Sequence, residues 1–197
     1  MSEDAAQLDA WRAGDQDAGA ALIERHYGSV LRFFRTKVGE DADDLVQLTF
    51  LRCVEASERF RGESSFRAFL FGIARNVLFE HIRRRVRDGK VDPDFGMSSI
   101  LDLEPRASTM VFRKAEERAL VEALQRMPVE FQIVLELFYW EELSVDEVAV
   151  AVGVAVGTVK SRLHRARERL KEALAQPGLE DDRAISSCFA RVAEDNA

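Results

Sequence analysis

The chain has 197 residues, of which 47% are hydrophobic, and a formal net charge of −7, a size that suits one ordinary domain or two small helical ones. Its two cysteines, Cys53 and Cys188, lie too far apart in sequence to suggest a disulfide framework or a zinc spacing, and no apolar run approaches the ~18 residues of a membrane span. The opening MSEDAAQLDAW carries acids where a signal peptide needs bases, so a reducing cytoplasm is the expected location.

With only 4 Pro and 11 Gly, and little period-two alternation, the chain is expected to be all-α. From about Asp17 to Val38 a helical period places Leu22, Tyr27, Val30, Phe33, Phe34 and Val38 on a core stripe, and Gly39 ends the helix. His26 has no second ligand at i+3 or i+4, so it reads as a packed or surface histidine. The next helix, DADDLVQLTFLRCVEASERF, opens with Asp41, Asp43 and Asp44, which suit the positive end of the helix dipole. It carries two apolar stripes. Val46, Thr49, Phe50 and Cys53 form one, while Asp44, Gln47, Leu48, Leu51 and Glu55 form another in which acids alternate with leucines. Burial would strand those carboxylates, so the second stripe is expected to dock on a partner.

The loop FRGESSF, Phe60 to Phe66, leads into a third helix reaching about Arg87. Phe66, Phe69, Leu70, Ile73 and Val77 mark its core side, and Asn76, Glu80, Arg83, Arg84 and Arg87 its polar side. The RRR run exceeds what dipole compensation needs. Aromatics beside such bases suit the capture of nucleobases taken out of a stack. From Asp88 to about Thr109 periodicity is lost in an acidic stretch with Pro93 and Pro105, longer than the ~15 residues usual for a loop inside one domain.

A helix resumes over Val111 to Met127, and Pro128 suits the first turn of the next, which places Phe131, Val134, Leu135 and Phe138 on one face. Then LSVDEVAVAVGVAVGTVKSRLHRARERLKEAL reads as two helices joined by a tight turn. Ser144 and Glu147 form a capping box, and Gly153 supplies the left-handed residue that closes the first helix. Val159, Leu163, Ala166, Leu170 and Leu174 make the inner stripe of the second. Its other side carries Thr158, Ser161, Arg162 and Arg165, flanked by Lys160, His164 and Arg167, the donors a helix needs to enter a major groove. Ala155 stands where a capping Ser or Thr is expected. The remaining segment from Gln176 is acidic, with a short apolar patch at Ile185, Cys188 and Phe189.

The acidic net charge does not oppose nucleic-acid binding, because the bases are concentrated. From Arg61 to Arg87 seven arginines face two acids, and bases dominate again from Gly157 to Lys171. The sequence thus divides into helical domains at 1–88 and 111–176, a flexible acidic linker at 89–110 and a tail at 177–197.

Taken together, DADDLVQLTFLR, SSFRAFLFGIARN with the RRR run, and LFYWEELSVDEVAVAVGVAVGTVKSRLHRARERL resemble, in this order and spacing, the extracytoplasmic-function group of bacterial sigma-70 factors. The resemblance covers roughly Ala10 to Leu174. It implies a protein that binds core RNA polymerase and directs promoter-specific transcription initiation. Polymerase contacts would fall on Asp41, Asp44, Gln47, Leu48 and Leu51, on the coiled coil of the largest subunit. The minus-ten element would be opened and held by the segment Phe60 to Arg87, with Arg75, Asn76, Arg83, Arg84, Arg85 and Arg87 as its contacts. The minus-thirty-five element would be read by Thr158, Lys160, Ser161, Arg162, His164, Arg165 and Arg167. The linker would thread the polymerase cleft toward the RNA exit path. An anti-sigma factor is a further partner that the resemblance allows, and neither a cofactor nor membrane insertion is implied.

This chain departs from the pattern at Phe69, where many relatives have Trp, and at Glu80, where Asp is common. The rival reading is an ordinary helix-turn-helix regulator with an N-terminal sensing or dimerising domain. Such a protein needs neither a basic third helix nor a docking helix. No catalytic constellation is found, so no catalysis is expected.

Overall fold

A computed structural model describes residues 3–58, 60, 62–89, 115–174 and 185–190. Apart from Gly89, the linker expected at 89–110 lies outside the described residues, as does most of the tail. The described residues include, in order, the α-helices α1 (Glu3–Arg12), α2 (Gln16–Val38), α3 (Ala42–Ser57), α4 (Phe66–Arg87), α5 (Ala115–Gln125), α6 (Val129–Tyr139), α7 (Val145–Val152) and α8 (Val156–Leu174), with a 3₁₀ turn at Gly39–Asp41 between α2 and α3 and a short helical stretch at 185–190. The described residues form an all-α fold without strands.

Local chemistry sets most boundaries. The Asp15 carboxylate accepts from the amides of Asp17 at 3.0 Å and Ala18 at 3.1 Å, which satisfies donors that the first turn of α2 leaves unpaired. Ser65 does the same for α4, accepting from the Ala68 amide at 3.2 Å. The loop before α4 thus supplies the cap of the helix that follows it. Gly39, at φ +60, ends α2 as expected.

Phe33, Phe34 and Phe71 meet edge to face in the core that α2, α3 and α4 share. Packing aromatics this way adds to their burial, because positive ring edges face negative ring centres. Val46, Thr49, Phe50 and Cys53 are all buried, as the inner stripe of α3 requires. Burial pushes the Cys53 thiol up to about 12. Iodoacetamide at pH 8 is therefore expected to leave Cys53 unmodified in the native chain and to alkylate it once urea unfolds the protein. Labelling of native Cys53 would contradict this packing.

The structure corrects two expectations and adds one helix. Tyr27 is 40% exposed rather than part of the core, its ring stacked on Phe50 and its hydroxyl 3.4 Å from an Asp43 oxygen. A phenol can lend an apolar ring to the core edge while its polar tip stays near water. The first helix, α1, was not anticipated from its polar sequence. It buries only Leu8 and is tied to α2 by Arg25 and His26, which bond Asp4 at 2.7 and 3.0 Å. Trp11 lies so close to Gly19 that a Cβ there would come within 2.5 Å of the indole. Finally, α6 is buried well beyond the single expected face: Val129, Gln132, Ile133, Glu136 and Leu137 are enclosed along with Val134 and Leu135. The cause is a second set of neighbours, supplied by the N-terminal helices. Gln132 and Glu136 are polar residues at i and i+4 of an apolar helix, and they were the one sequence sign of that contact.

Candidate nucleic-acid interface

The C-terminal pair of helices is built as the sequence implies. Ser144 Oγ accepts from the Glu147 amide at 3.3 Å while Glu147 Oε2 accepts from the Ser144 amide at 2.9 Å, a reciprocal cap on α7. Burial pushes the Glu147 carboxyl up, but hydrogen bonds from Ser65 and Ser144 outweigh it and leave the carboxyl below its usual range. Gly153 ends α7 in the left-handed region, φ +67 and ψ +37. Only two residues separate its cap from α8. Val159, Leu163, Ala166 and Leu170 are buried and Leu174 partly so, which fixes the rotation of α8 about its axis.

That rotation presents Thr158, Lys160, Ser161, His164 and Arg165 to solvent. Two residues of the same predicted group are engaged elsewhere. Arg162 is half-buried and bonds Glu130 of α6, with Nη2 to Oε2 at 2.6 Å. Arg167 donates from Nε to the Tyr139 hydroxyl at 2.8 Å and lies over the Phe138 and Tyr139 rings.

In the N-terminal half, α4 exposes Asn76, Arg83, Arg84 and Arg87 along one side. Glu80, beside them, accepts two bonds from Arg52 of α3 at 2.8 and 2.6 Å, and that hydrogen-bonded guanidinium holds its carboxyl below the usual range. Arg52, Glu55, Ala56, Ile73, Asn76 and Glu80 line a cleft of about 420 Å³ between α3 and α4. Arg85 is directed the other way, buried 3.5 Å from Asp41. Arg75 lies over the Phe79 ring at 4.7 Å. Burial lowers its pKa, and the nearby charges of Arg162 and Arg83 add to that effect while Glu130 opposes it.

On α3 the outer stripe is open. Asp44 and Gln47 are exposed, Leu48 is half-buried, and Leu51 at 56% and Val54 at 42% are large apolar side chains left in water. Asp41 lies at one end of this stripe, and its carboxylate faces Arg85 and His81 of α4.

The structure also joins what the sequence kept apart, because α7 packs along α4 and α6 lies against α2. At the centre of that contact Lys37 of α2 bonds Glu136 of α6, both side chains almost wholly removed from water. Glu136 also accepts from Thr36 Oγ1 at 3.0 Å and Gln132 Nε2 at 2.7 Å. Burial opposes charge on both partners, lowering the Lys37 pKa and raising that of Glu136. At the rim, Glu141 accepts from Arg32 at 2.7 Å and from Arg67 at 2.8 Å. The pairings between the two halves have no sequence signal beyond a few polar residues on apolar faces, since their partners are 74 to 109 residues apart.

Residues 22–88 match the family described as sigma-70 region 2, and residues 117–170 match sigma-70, region 4. The chain is 32% identical over 180 residues to the RNA polymerase sigma-H factor of Pseudomonas aeruginosa, a match covering 85% of this chain and 91% of that one. It is 32% identical over 173 residues to the ECF RNA polymerase sigma factor SigM of Mycobacterium tuberculosis, covering 87% and 84%. Among solved structures it is similar to the sigma factor RpoE of Bartonella quintana, determined with the anti-sigma factor NepR, at a TM-score of 0.63 and 25% identity over 82% of this chain and 97% of that one. The fold is shared also with CnrH, solved with the cytosolic domain of CnrY, at a TM-score of 0.64 and 24% identity over 88% and 98% of the two chains.

Proposed function

The chain belongs to the extracytoplasmic-function group of the sigma-70 family, and on that footing we propose how its surfaces divide the work of starting transcription. As a sigma factor it directs RNA polymerase to promoters. Synthesis of RNA is the polymerase's chemistry, and this chain's part is binding and positioning. Residues 1–88 would form the domain that docks on core enzyme and opens the minus-ten element, and 111–176 the domain that reads the minus-thirty-five element.

One observation carries this reading over the helix-turn-helix regulator: the same chain holds a basic reading helix, α8, and a helix whose acid and leucine stripe is left in water, α3. Asp44, Gln47, Leu48 and Leu51 offer polymerase an apolar centre with an acidic rim, the anatomy of a protein interface. The cleft between α3 and α4 brings Asn76 within reach of bases displaced from the stack, and Arg83, Arg84 and Arg87 supply phosphate contacts beside it. Arg85, buried against Asp41, serves the fold more directly than it serves DNA. An anti-sigma factor is a fitting partner, given how RpoE was solved, and the cytoplasm, where polymerase and chromosome meet, is the fitting compartment.

The packed arrangement cannot serve both elements at once. Sites named for positions minus thirty-five and minus ten are about 25 base pairs apart, about 85 Å along B-form DNA at the usual rise. A compact chain of this length has a radius of gyration of about 16 Å and so a diameter of about 42 Å. Moreover, Arg162 and Arg75, assigned to different elements, converge on Glu130. The two domains therefore separate when the promoter is engaged, with the segment 89–110 spanning the gap.

Transcription of genomic DNA by purified core polymerase with this chain, with start sites mapped, tests the function, and absence of promoter-specific starts would overturn it. In the same assay Asn76→Ala should reduce transcription about tenfold or more from duplex promoters and far less from templates already opened around the start. Equal loss on both would make Asn76 a simple binding residue. Arg162→Ala should cost about 1 to 3 kcal/mol in promoter affinity, confined to one base pair of the upstream element, as expected of an arginine paired with a guanine edge. A uniform loss on all sequences with a shallower salt dependence would instead identify a phosphate contact.

A further inference from the structure

The segment 185–190 lies outside both matched families and folds back as a short helical stretch. Ile185 and Phe189 are fully buried, although the tail around them is acidic and polar. Phe189 has a defined seat. Its ring stacks on Tyr139 with centroids 5.0 Å apart and meets Trp140 edge-on at 5.1 Å. Its carbonyl accepts from Trp140 Nε1 at 2.8 Å. Trp140 is in turn part of the contact between the domains, because the Arg32 guanidinium of α2 lies 5.6 Å from its ring centre and bonds Glu141 next to it. Tyr139, on the other side of the seat, holds Arg167 of the reading helix.

One aromatic platform thus carries the tail, the first domain and the reading helix together. We propose that the 185–190 segment is a built-in clamp on the closed arrangement: Phe189 fixes Trp140 where Arg32 engages it, and release of the segment is a step in separating the domains. The proposal rests on the reading that the domains separate for promoter engagement. Its physical basis is coupling through a shared residue. The Phe189 ring and carbonyl hold Trp140 in the position where Arg32 lies over its ring, so loss of the segment removes one of the restraints on that side of the junction. The occupant of the Tyr139 and Trp140 seat is this chain's own segment, and a partner that opens the protein would have to displace it.

The test compares the full chain, the chain ended after Ala175, full-length Phe189→Ala, and Ser186→Ala at an exposed position of the same segment. Small-angle scattering gives the radius of gyration of each free protein, and titration with a promoter duplex mapped in the transcription assay gives its affinity. Truncation and Phe189→Ala should enlarge the free protein and tighten duplex binding about tenfold or more, whereas Ser186→Ala should match the full chain. A synthetic peptide of residues 177–197, added to the truncated chain, should reverse both changes.

Unchanged dimensions on truncation would overturn the clamp, as would a peptide without effect. Loss of helix and of DNA affinity together would also overturn it, by making the segment a structural part of the second domain. The scattering comparison requires no promoter, so it separates failure of the clamp from failure of the sigma-factor reading, in which none of the four chains would support specific starts.

Discussion

Asp44→Arg combined with Leu48→Ala is expected to weaken capture of core polymerase about a hundredfold or more, while leaving the fold and the melting temperature nearly unchanged. The second half of that expectation follows from exposure: Asp44 is in water and Leu48 is only partly covered, so neither change opens a cavity. The first half follows from how such interfaces gain affinity. An apolar centre at Leu48 and Leu51, with the large exposed area of Leu51 at 56% and its neighbour Val54, is the kind of patch where a few side chains dominate binding, and reversal of a rim charge turns steering into repulsion. A loss of about 3 kcal/mol corresponds to the stated factor. Co-purification with His-tagged core polymerase reads the result, and undiminished recovery would move the docking surface off α3.

Glu136→Leu should destabilise the packed chain by about 3 to 5 kcal/mol, because it leaves the Lys37 ammonium buried without its counter-charge. Both side chains are nearly free of solvent contact, so screening by water offers little relief. The double variant Lys37→Met with Glu136→Leu should recover most or all of that loss, since apolar packing can replace a buried ion pair at no net cost. Urea unfolding measures both. The pair then yields a structural contrast. Glu136→Leu weakens the contact between α2 and α6 and should enlarge the free protein, whereas the double variant restores that contact and should match the parent chain in dimensions. If the double variant is as unstable as the single one, the ion pair is not what holds α2 to α6. Burial disfavours ionisation of both Lys37 and Glu136, which is why replacing the pair by apolar side chains is expected to cost little.

Much of the exposed basic face of α8 was determined by sequence alone. Helical period, a capping box at Ser144 and Glu147, and a left-handed Gly153 are local features, satisfied by neighbours within a few residues, so they specify α7, the turn and the rotation of α8 before any long-range contact forms. The same holds for the two stripes of α3, whose division into a buried and an open face follows from residue type and spacing. Tertiary structure decided the rest, because those facts depend on pairs distant in the chain. Nothing near Arg162 in sequence says that Glu130 will hold it, nothing near Arg85 says that it will turn inward to Asp41, and nothing in an acidic tail says that Phe189 will find Trp140. Nor does the apolar run of α6 reveal that Glu136 will meet Lys37, 99 residues away. Charge and hydropathy patterns identify faces that want partners, and only the packed chain selects which partner each one takes.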